Sequence, residues 1–338
     1  MKKTAFITGI TSQDGAYLAH LLLNKDYTVV GGFRGLSNPV FSRLDELGIT
    51  NKIRLVEIDL LDSGNLTTII KEVKPTEVYN LAAQSFVSHS FRNPVLTGNV
   101  TGIGVTNLLE AVRMTDKGIR FYQASTSELF GKTQQFPQNE ETPFYPCSPY
   151  AVAKLYGYWM TINYRESYNI FASTGILFNH ESPLRGIEFV TRKITDAVAR
   201  IHSGKLDSFD IGNLDVKRDW GYAKEYVEGM WKMLQTDKPD AYVIATNEAH
   251  SVREWIETCF NIIGTTIIWE GSGVNETGRD EKTGQVRVKV NPDFFRPAEF
   301  NLTIGDYSKA RRELGWEPET KFAKLIEIMM RADLKRNE

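Results

Sequence analysis

The sequence predicts an α/β protein with a doubly wound parallel sheet and a second, smaller, mixed α/β lobe. Three observations support this fold class. Strand-like and helix-like stretches alternate through the first half of the chain, and a glycine-containing turn, GITSQDG, follows the first strand and opens a helix. The second half is less regular and richer in dispersed charge. Alternation of this kind favours parallel strands that are joined by crossover helices.

Hydrophobic patterning predicts each element in chain order. Short apolar runs predict strands at TAFITG, YTVVGGF, IRLVEIDL, EVYNLAA, RFYQAST and IFASTGILF. Apolar residues at helical spacing predict helices at AYLAHLLLNKD, FSRLDEL, NLTTIIKEV, GVTNLLEAVR and YAVAKLYGYWMTINYRESY. Later in the chain RDWGYAKEYVEGMWKML is predicted as an amphipathic helix, DAYVIAT as a strand, and SPLRGIEF and GVNETGRDEKTGQ as loops. We therefore predict a first domain over 1–177, to which 215–247 returns, and a discontinuous second lobe from 178–214 and 248–338.

Composition excludes several classes of function. The net charge of −2 over 338 residues gives no general attraction to nucleic acid or to anionic membranes. The two cysteines, Cys147 and Cys259, do not make a disulfide framework. We find neither a signal-peptide core, nor an apolar run of membrane-spanning length, nor a cluster with metal-ligand spacing. We expect a cytoplasmic protein without a metal.

The turn GITSQDG has the context of a nucleotide-binding loop. A loop between a strand and a helix presents backbone N–H groups and a helix N-terminus to phosphate. Ser12 stands where such loops usually carry their middle glycine. Taken alone, the pattern fits an ordinary strand-to-helix turn equally well.

The ends of the next strands strengthen the cofactor interpretation. No acidic residue that would bind an adenosine ribose follows the second strand, whereas Arg34 there suits a 2′-phosphate and favours NADP. A solvated loop arginine is the alternative. Asp59 and the LAAQS segment end the third and fourth strands, where an adenine edge and a nicotinamide ribose would lie in a Rossmann-type site. The predicted cofactor residues are Gly9, Thr11, Ser12, Gln13, Asp14, Gly15, Arg34, Asp59, Leu60, Leu81, Ala82, Ala83 and Ser85.

Tyr150 and Lys154 form the strongest candidate for catalysis. Positions i and i+4 of a helix share a face, so the ammonium group of Lys154 can approach the phenol of Tyr150 and lower its pKa. Such a phenol can exchange a proton with a sugar hydroxyl while hydride leaves the same carbon. A surface Tyr–Lys pair is the alternative, but a strand ending in Ser125-Thr126-Ser127-Glu128 comes just before.

Longer stretches carry a resemblance over nearly the whole chain. These stretches include GITSQDGAYLA, VKPTEVYNLAAQS, RFYQASTSELFGK, TPFYPCSPYAVAKLYGYW, GILFNHESPLRG and GNLDVKRDWGYAKEYVEGMW. Through them the chain resembles the GDP-mannose 4,6-dehydratase family, a branch of the extended short-chain dehydrogenases/reductases. The combination of STSE, ILFNHESP and KRDWG is the most specific part of the match.

The resemblance implies a reaction and roles for four residues. GDP-D-mannose would become GDP-4-dehydro-6-deoxy-D-mannose and water through a 4-keto intermediate, with hydride passing from C4 to C6 by way of tightly bound, recycled NADP. Tyr150 would take the C4 hydroxyl proton and Lys154 would tune it. Glu128 would remove the C5 proton and protonate the leaving C6 hydroxyl, and Thr126 would bind near the C4 oxygen. The resemblance also implies deoxysugar biosynthesis, toward GDP-fucose or GDP-rhamnose, and a homodimer or homotetramer.

The resemblance further implies ligand contacts. Tyr150, Lys154, His180 and Arg185 would contact the cofactor. The residues that would contact the nucleotide sugar are Ser85, Glu128, Asn179, Val190, Lys193, Arg218, Arg253, Arg296 and Glu299. Cations with several donors suit a diphosphate. A packed histidine and ordinary surface or ion-paired arginines are the alternatives.

Three other functions are weighed against the main one. The same dehydration of a related GDP-sugar, such as GDP-manno-heptose, would need the same catalytic residues. A nucleotide-sugar 4-epimerase or simple reductase is disfavoured by Glu128, because neither reaction removes a C5 proton. A non-catalytic NADP-binding sensor is disfavoured because the catalytic set is complete. Ser12, Cys147 and the loop at Gly35 depart from the family pattern, which leaves cofactor affinity and assembly open.

Overall fold

The structure is a computed structural model that describes residues 2–35, 40–295 and 301–338. Two predicted substrate residues, Arg296 and Glu299, and most of the loop after Gly35 lie outside these ranges. The strands are β1 (Thr4–Thr8), β2 (Thr28–Phe33), β3 (Arg54–Glu57), β4 (Glu77–Asn80), β5 (Arg120–Ala124), β6 (Ala172–Leu177), β7 (Asn179–Glu181), β8 (Phe209–Ile211), β9 (Lys217–Arg218), β10 (Trp220–Tyr222), β11 (Ala241–Ile244), β12 (His250–Ser251), β13 (Ile267–Glu270), β14 (Thr277–Asp280) and β15 (Val286–Val290).

Helices connect and cover these strands. They are α1 (Gln13–Asn24), α2 (Ser42–Glu46), α3 (Ser63–Val73), α4 (Val87–Arg92), α5 (Pro94–Thr97), α6 (Gly104–Thr115), α7 (Pro149–Tyr168), α8 (Val190–His202), α9 (Ala223–Met233), α10 (Val252–Ile262), α11 (Ser308–Leu314) and α12 (Phe322–Asn337). A π-helical stretch, Gly98–Ile103, joins α5 to α6. Of the helices in the described ranges, none combines the length and the hydropathy that a membrane crossing requires.

The main sheet has seven parallel strands in the order β11-β6-β5-β4-β1-β2-β3. The strand order reverses between β1 and β4, and ligands of open α/β sheets bind at such a point, outside the carboxyl ends of the strands. Buried residues from both faces, among them Phe6, Ile7 and Tyr79, fill the cores on either side. The doubly wound parallel sheet is therefore confirmed.

A second sheet in the order β13-β14-β15-β8 forms the smaller lobe. It is mixed, because β8 runs parallel to β15 while the other pairs are antiparallel. Trp255, Phe260 and Met329 contribute to a separate core beneath α8, α10 and α12. The predicted mixed α/β lobe is thus observed.

Two local predictions in the second half are wrong. The segment predicted as one long helix from Arg218 begins with β9 and β10, and α9 starts only at Ala223. Trp220 is buried in the core of the second lobe, whereas Tyr226 packs in the first core, so the chain crosses between lobes here. The predicted loop GVNETGRDEKTGQ contains β14, in which the alternate residues Gly278 and Asp280 are buried. The limits predicted for the domains stay predictions.

Candidate functional site

A cavity of about 230 Å³ opens at the carboxyl edge of the main sheet. It collects side chains from the turn after β1, from the ends of β4, β5 and β6, and from α7 and β7. Twelve of the predicted site residues line it: Ser12, Gln13, Asp14, Leu81, Ala83, Ser85, Glu128, Tyr150, Lys154, Asn179, His180 and Arg185. The fold thus brings segments that are far apart in sequence to one cleft.

The turn from β1 into α1 depends on two glycines. Gly9 has a φ of +70°, and a Cβ there would lie 2.9 Å from the backbone nitrogen of Ala82. A Cβ on Gly15 would lie 2.4 Å from the carbonyl oxygen of Gly9. Ser12 has an ordinary extended backbone (φ −76°, ψ 167°), and its Oγ accepts a hydrogen bond from the Gly15 N–H at 3.0 Å. Glycine is therefore not required at this position, and Ser12 caps α1.

A buried ladder of side-chain hydrogen bonds supports the neighbouring turn after β4. The Thr8 hydroxyl donates to Asn80 Oδ1 at 2.7 Å and accepts from the N–H groups of Leu81 and Ala82 at 3.1 and 3.2 Å. Asn80 Nδ2 donates to Gln123 Oε1 at 2.8 Å. These contacts fix the backbone of the LAAQS segment on the cleft. Sequence reasoning missed the ladder, although polar residues at the ends of otherwise apolar strands signalled it.

The four predicted catalytic residues come together. Ser148 caps α7 by accepting from the Ala151 N–H at 3.1 Å, which places Tyr150 in the first turn of this helix. Thr126 Oγ1 accepts from the Glu128 N–H at 3.2 Å and also shares a hydrogen bond with the phenol of Tyr150. The carboxylate of Glu128 lies near enough to act electrostatically on that phenol. One cleft therefore holds a phenol, a hydroxyl, an ammonium and a carboxylate.

The protonation of Tyr150 differs from the sequence-based expectation. Burial and then the charge of Glu128 raise the pKa of Tyr150, and the hydrogen bond with Thr126 opposes them. Lys154 Nζ donates to the carbonyl oxygen of Ala124 at 2.8 Å and lies 5.9 Å from the centre of the Tyr150 ring. The prediction of a lowered tyrosine pKa is wrong in this structure, because burial and the charge of Glu128 outweigh the Thr126 hydrogen bond and the charge of Arg185. Burial also lowers the pKa of Lys154 to about 8.

His180 and Arg185 both reach the cleft, and each meets a carboxylate. His180 Nε2 lies 2.8 Å from Asp14 Oδ2, and Arg185 Nε lies 3.1 Å from Glu181 Oε2. The guanidinium of Arg185 also stacks 3.5 Å from the centre of the Phe189 ring. Asp14, predicted to bind cofactor, thus has a protein partner.

The described substrate candidates of the second lobe are not among the residues that line this cavity. Val190 is the first residue of α8, and Lys193, one turn later, places its Nζ 3.9 Å from the centre of the Phe294 ring. Arg218 is buried in β9 and donates to the Lys217 carbonyl at 3.0 Å. Arg253 forms ion pairs with two carboxylates; the partners are Asp215 at 2.9 Å and Glu276 at 2.5 Å. Their contact with a substrate stays a prediction.

The ends of β2 and β3 carry the other predicted cofactor residues. Arg34 is exposed, and a Cβ on the following Gly35 would lie 1.8 Å from Glu57 Oε1. Asp59 Oδ1 accepts from the Leu61 N–H at 2.9 Å. Leu60 is buried against Gly104. Asp59 and Leu60 thus shape the turn after β3, and their contact with a cofactor stays a prediction.

The whole chain is similar to proteins of one known family. A family model described as GDP-mannose 4,6 dehydratase matches residues 6–329. The chain belongs to this family. GDP-mannose 4,6 dehydratases from Drosophila melanogaster and Homo sapiens are 53% and 52% identical to it, over 98% and 99% of the chain and 86% and 92% of their own lengths. The Sinorhizobium fredii protein of this family is 51% identical over 98% of the chain and 97% of its own length.

Solved structures share the fold at lower identity. UDP-glucose 4-epimerase from Thermotoga maritima superposes with a TM-score of 0.82 at 21% identity, over 98% of each chain. The dTDP-glucose 4,6-dehydratase from Bacillus anthracis superposes with a TM-score of 0.81 at 19% identity, over 98% of this chain and 97% of that one. The chain thus shares its fold both with an epimerase and with a dehydratase.

Arg43 is a site residue of this family member that sequence reasoning missed. It lines the cleft from α2, where its Nε donates to the Leu184 carbonyl at 2.6 Å and its Nη1 donates to the Thr11 carbonyl at 2.9 Å. Arg43 therefore ties the nucleotide-loop turn to the segment that carries Arg185. Its position on a short helix just after the Arg34 loop was the only signal in the sequence.

The residues of the cleft fit a dinucleotide. The glycines at both ends of the first turn allow close backbone approach, and α1 directs its N-terminus into the cavity. The Ser125 hydroxyl and the Asp14 Oδ1 atom are buried polar atoms of the cleft without a hydrogen-bond partner. Buried polar groups are normally paired, so these two atoms suit a polar ligand. Among the described residues, no group of histidine, cysteine, aspartate and glutamate side chains could hold a metal ion.

Proposed function

We propose that the protein converts GDP-D-mannose to GDP-4-dehydro-6-deoxy-D-mannose and water, with tightly bound NADP. The observation that carries this proposal is that Glu128, Tyr150 and Lys154 line one cleft at the carboxyl edge of the sheet, while Thr126 shares a hydrogen bond with the Tyr150 phenol. Membership of the GDP-mannose 4,6-dehydratase family supports the substrate and the reaction. Arg34, at the end of β2, supports NADP over NAD.

Tyr150 and its neighbours act at C4 of the sugar. Bound NADP supplies the hydride acceptor for C4 and the hydride donor for C6. Tyr150 exchanges the proton of the C4 hydroxyl through its phenolic oxygen. Thr126 shares a hydrogen bond with that phenol and favours its ionised form, which opposes the effect of burial. Lys154, held against the Ala124 carbonyl, supplies the nearby cation.

Glu128 makes the site a dehydratase site. Once C4 is a ketone, the proton on C5 is acidic, and elimination of water needs a base for C5 and an acid for the C6 hydroxyl. Glu128 lines the same cleft as Tyr150 but projects from the turn that follows β5, not from α7. One carboxyl group can remove the first proton and deliver a proton to the leaving oxygen. A 4-epimerase or a simple reductase requires neither step.

The test is incubation of the purified protein with GDP-mannose and without added cofactor, followed by mass spectrometry. We expect loss of one water per sugar, since recycled NADP needs no second substrate. GDP-manno-heptose is assayed in parallel. If only GDP-manno-heptose lost water, the substrate would be the heptose and the proposal for GDP-mannose would be wrong. If both sugars kept their mass while C4 changed configuration, the epimerase alternative would hold.

We also propose a homo-oligomer. Val152, Tyr156 and Trp159 lie on one face of α7 and are 55%, 40% and 54% exposed. An open groove of about 680 Å³ runs beside them and includes Ile103, which is 44% exposed. Contiguous exposed apolar surface marks interaction sites, which supports association of two copies through α7. Light scattering of the purified protein measures the assembly.

The cytoplasmic location, the downstream pathway and the predicted domain limits also stay proposals.

A further inference from the structure

The ring of His180 is held in a fixed orientation. His180 lies in β7, opposite Gly221 of β10 in a parallel pair. The ring of Tyr226 stacks on the imidazole with centroids 4.7 Å apart and an interplanar angle of 25°. A Cβ on Gly221 would lie 2.2 Å from the Tyr226 ring, so this glycine makes room for the stack. The imidazole therefore presents its two nitrogens in defined directions.

Both nitrogens of His180 face atoms that only accept hydrogen bonds. Nδ1 lies 2.7 Å from the carbonyl oxygen of Phe178, and Nε2 lies 2.8 Å from Asp14 Oδ2. A neutral imidazole has one donor nitrogen and one acceptor nitrogen, whereas the protonated ring has two donors. A neutral ring would place a lone pair against one of these oxygens. Because the pKa of Asp14 is lowered, its carboxylate is ionised and only accepts, and the geometry then requires an imidazolium.

The charges around His180 identify Asp14 as its partner. Arg185 is a like charge that disfavours the imidazolium. Glu181, the adjacent carboxylate, accepts from the Thr191 hydroxyl at 2.5 Å and pairs with Arg185. Burial lowers the pKa of His180, but the charge and hydrogen bond of Asp14, together with the Phe178 carbonyl, raise it overall. For Asp14, burial favours the neutral acid, whereas His180, Arg185 and Lys154 lower its pKa overall.

We propose that Asp14 is a positioning residue that keeps His180 doubly protonated and so fixes a carboxylate-paired imidazolium on the wall of the catalytic cleft. Asp14 belongs to the first turn of α1 and His180 to β7, so the pair also ties the nucleotide loop to the strand that carries Asn179. Resting on the proposed function, the charge would stabilise negative charge that develops on the sugar oxygen as Tyr150 takes its proton.

The test substitutes Asp14→Asn and follows His180 by NMR with ¹⁵N-labelled histidine. The signal is assigned by its loss in a His180→Gln protein, since the chain has 5 histidines. In the unsubstituted protein we expect His180 to stay doubly protonated through neutral pH. An asparagine can donate from Nδ2 to Nε2 of a neutral ring, so this variant keeps the hydrogen bonds and removes the charge. Its His180 should lose its second proton below the ordinary pKa of about 6.5, because burial and Arg185 then act without the opposing carboxylate.

Activity gives the second measurement. For Asp14→Asn we expect kcat to fall about 10-fold to 100-fold as pH rises through the range where His180 loses its proton, which is the effect of losing one charge-assisted interaction. Asp26→Asn, just beyond α1 and exposed, is the matched control and should change neither readout. A neutral His180 at pH 7 in the unsubstituted protein, or the same titration in both proteins, would overturn the proposal. The titration needs no substrate, so it fails or succeeds independently of the proposed reaction.

Discussion

The ammonium group of Lys154 donates a hydrogen bond to the backbone carbonyl of Ala124 at 2.8 Å, and this contact anchors α7 to the end of β5. The lysine is 5% exposed. A buried ammonium that has one carbonyl partner loses much of its hydration, so its pKa falls from 10.5 to about 8. The catalytic helix is thus held by a cation that is only partly compensated.

The buried Lys154 predicts a stability that rises with alkaline pH. Between pH 8 and 10.5 the unfolded chain binds a proton at this lysine that the folded protein has released, so the free energy of unfolding increases with pH in this window. The full effect is roughly 3 kcal/mol at most. Urea unfolding at several pH values, compared with Lys154→Met, isolates this contribution because the other groups titrate in both proteins. Parallel pH curves for the two proteins would contradict it.

Removal of the Tyr150 hydroxyl should separate catalysis from folding. Tyr150→Phe keeps the ring that packs at the start of α7, so we expect the unfolding free energy to change by about 1 kcal/mol. We expect kcat to fall by about 10² to 10⁴, the usual contribution of a positioned proton-transfer group. Tyr158→Phe is the matched control, since Tyr158 is also buried on α7 and packs against Phe144. An equal loss of turnover in both variants would contradict the role of Tyr150.

Substitution of Glu128 by glutamine should stop the reaction after C4 oxidation. The amide can neither accept the C5 proton nor protonate the C6 hydroxyl, so we expect water loss to slow by about 10² to 10⁴. Reduction of the bound cofactor by GDP-mannose should survive and is measured by its absorbance. Glu166→Gln, an exposed carboxylate on α7, is the control. If Glu128→Gln dehydrated GDP-mannose at the normal rate, the assignment would be wrong.

Two glycine-to-alanine substitutions should change the unfolding free energy in opposite directions. In Gly15→Ala the new methyl group would meet backbone atoms of Gly9 and Ile10 at 2.4 and 2.7 Å, which cannot move independently. We expect a loss of about 1 to 3 kcal/mol in unfolding free energy. Gly98→Ala meets no atom within 4 Å on a helical backbone, so a gain of up to about 1 kcal/mol is expected. Urea unfolding at one protein concentration measures both, and a stabilised Gly15→Ala protein would contradict the packing argument.

The sequence located most of the fold because its signals are local. Strands β1 to β6 coincide with short apolar runs. Helix α7 begins after a capping serine and has a proline just before Tyr150. The spacing of Tyr150 and Lys154 placed them on one helix face, and the STSE segment placed Thr126 and Glu128 beside them. The segment from Arg218 was predicted wrongly because its apolar residues have helical spacing, whereas its first residues form β9 and β10, which pair with β12 and β7.

The sequence by itself determined the fold class, the family and the chemical groups of the site, since patterning, turns and motif spacing lie within short stretches of chain. Only the tertiary structure decided the state of those groups. Asp14 and His180 are 166 positions apart and Arg43 and Leu184 are 141 apart, so no local pattern could pair them. The direction of the Tyr150 pKa shift was decided in the same way, because burial depends on how many distant segments pack over a residue, and here burial is the largest cause and raises the pKa.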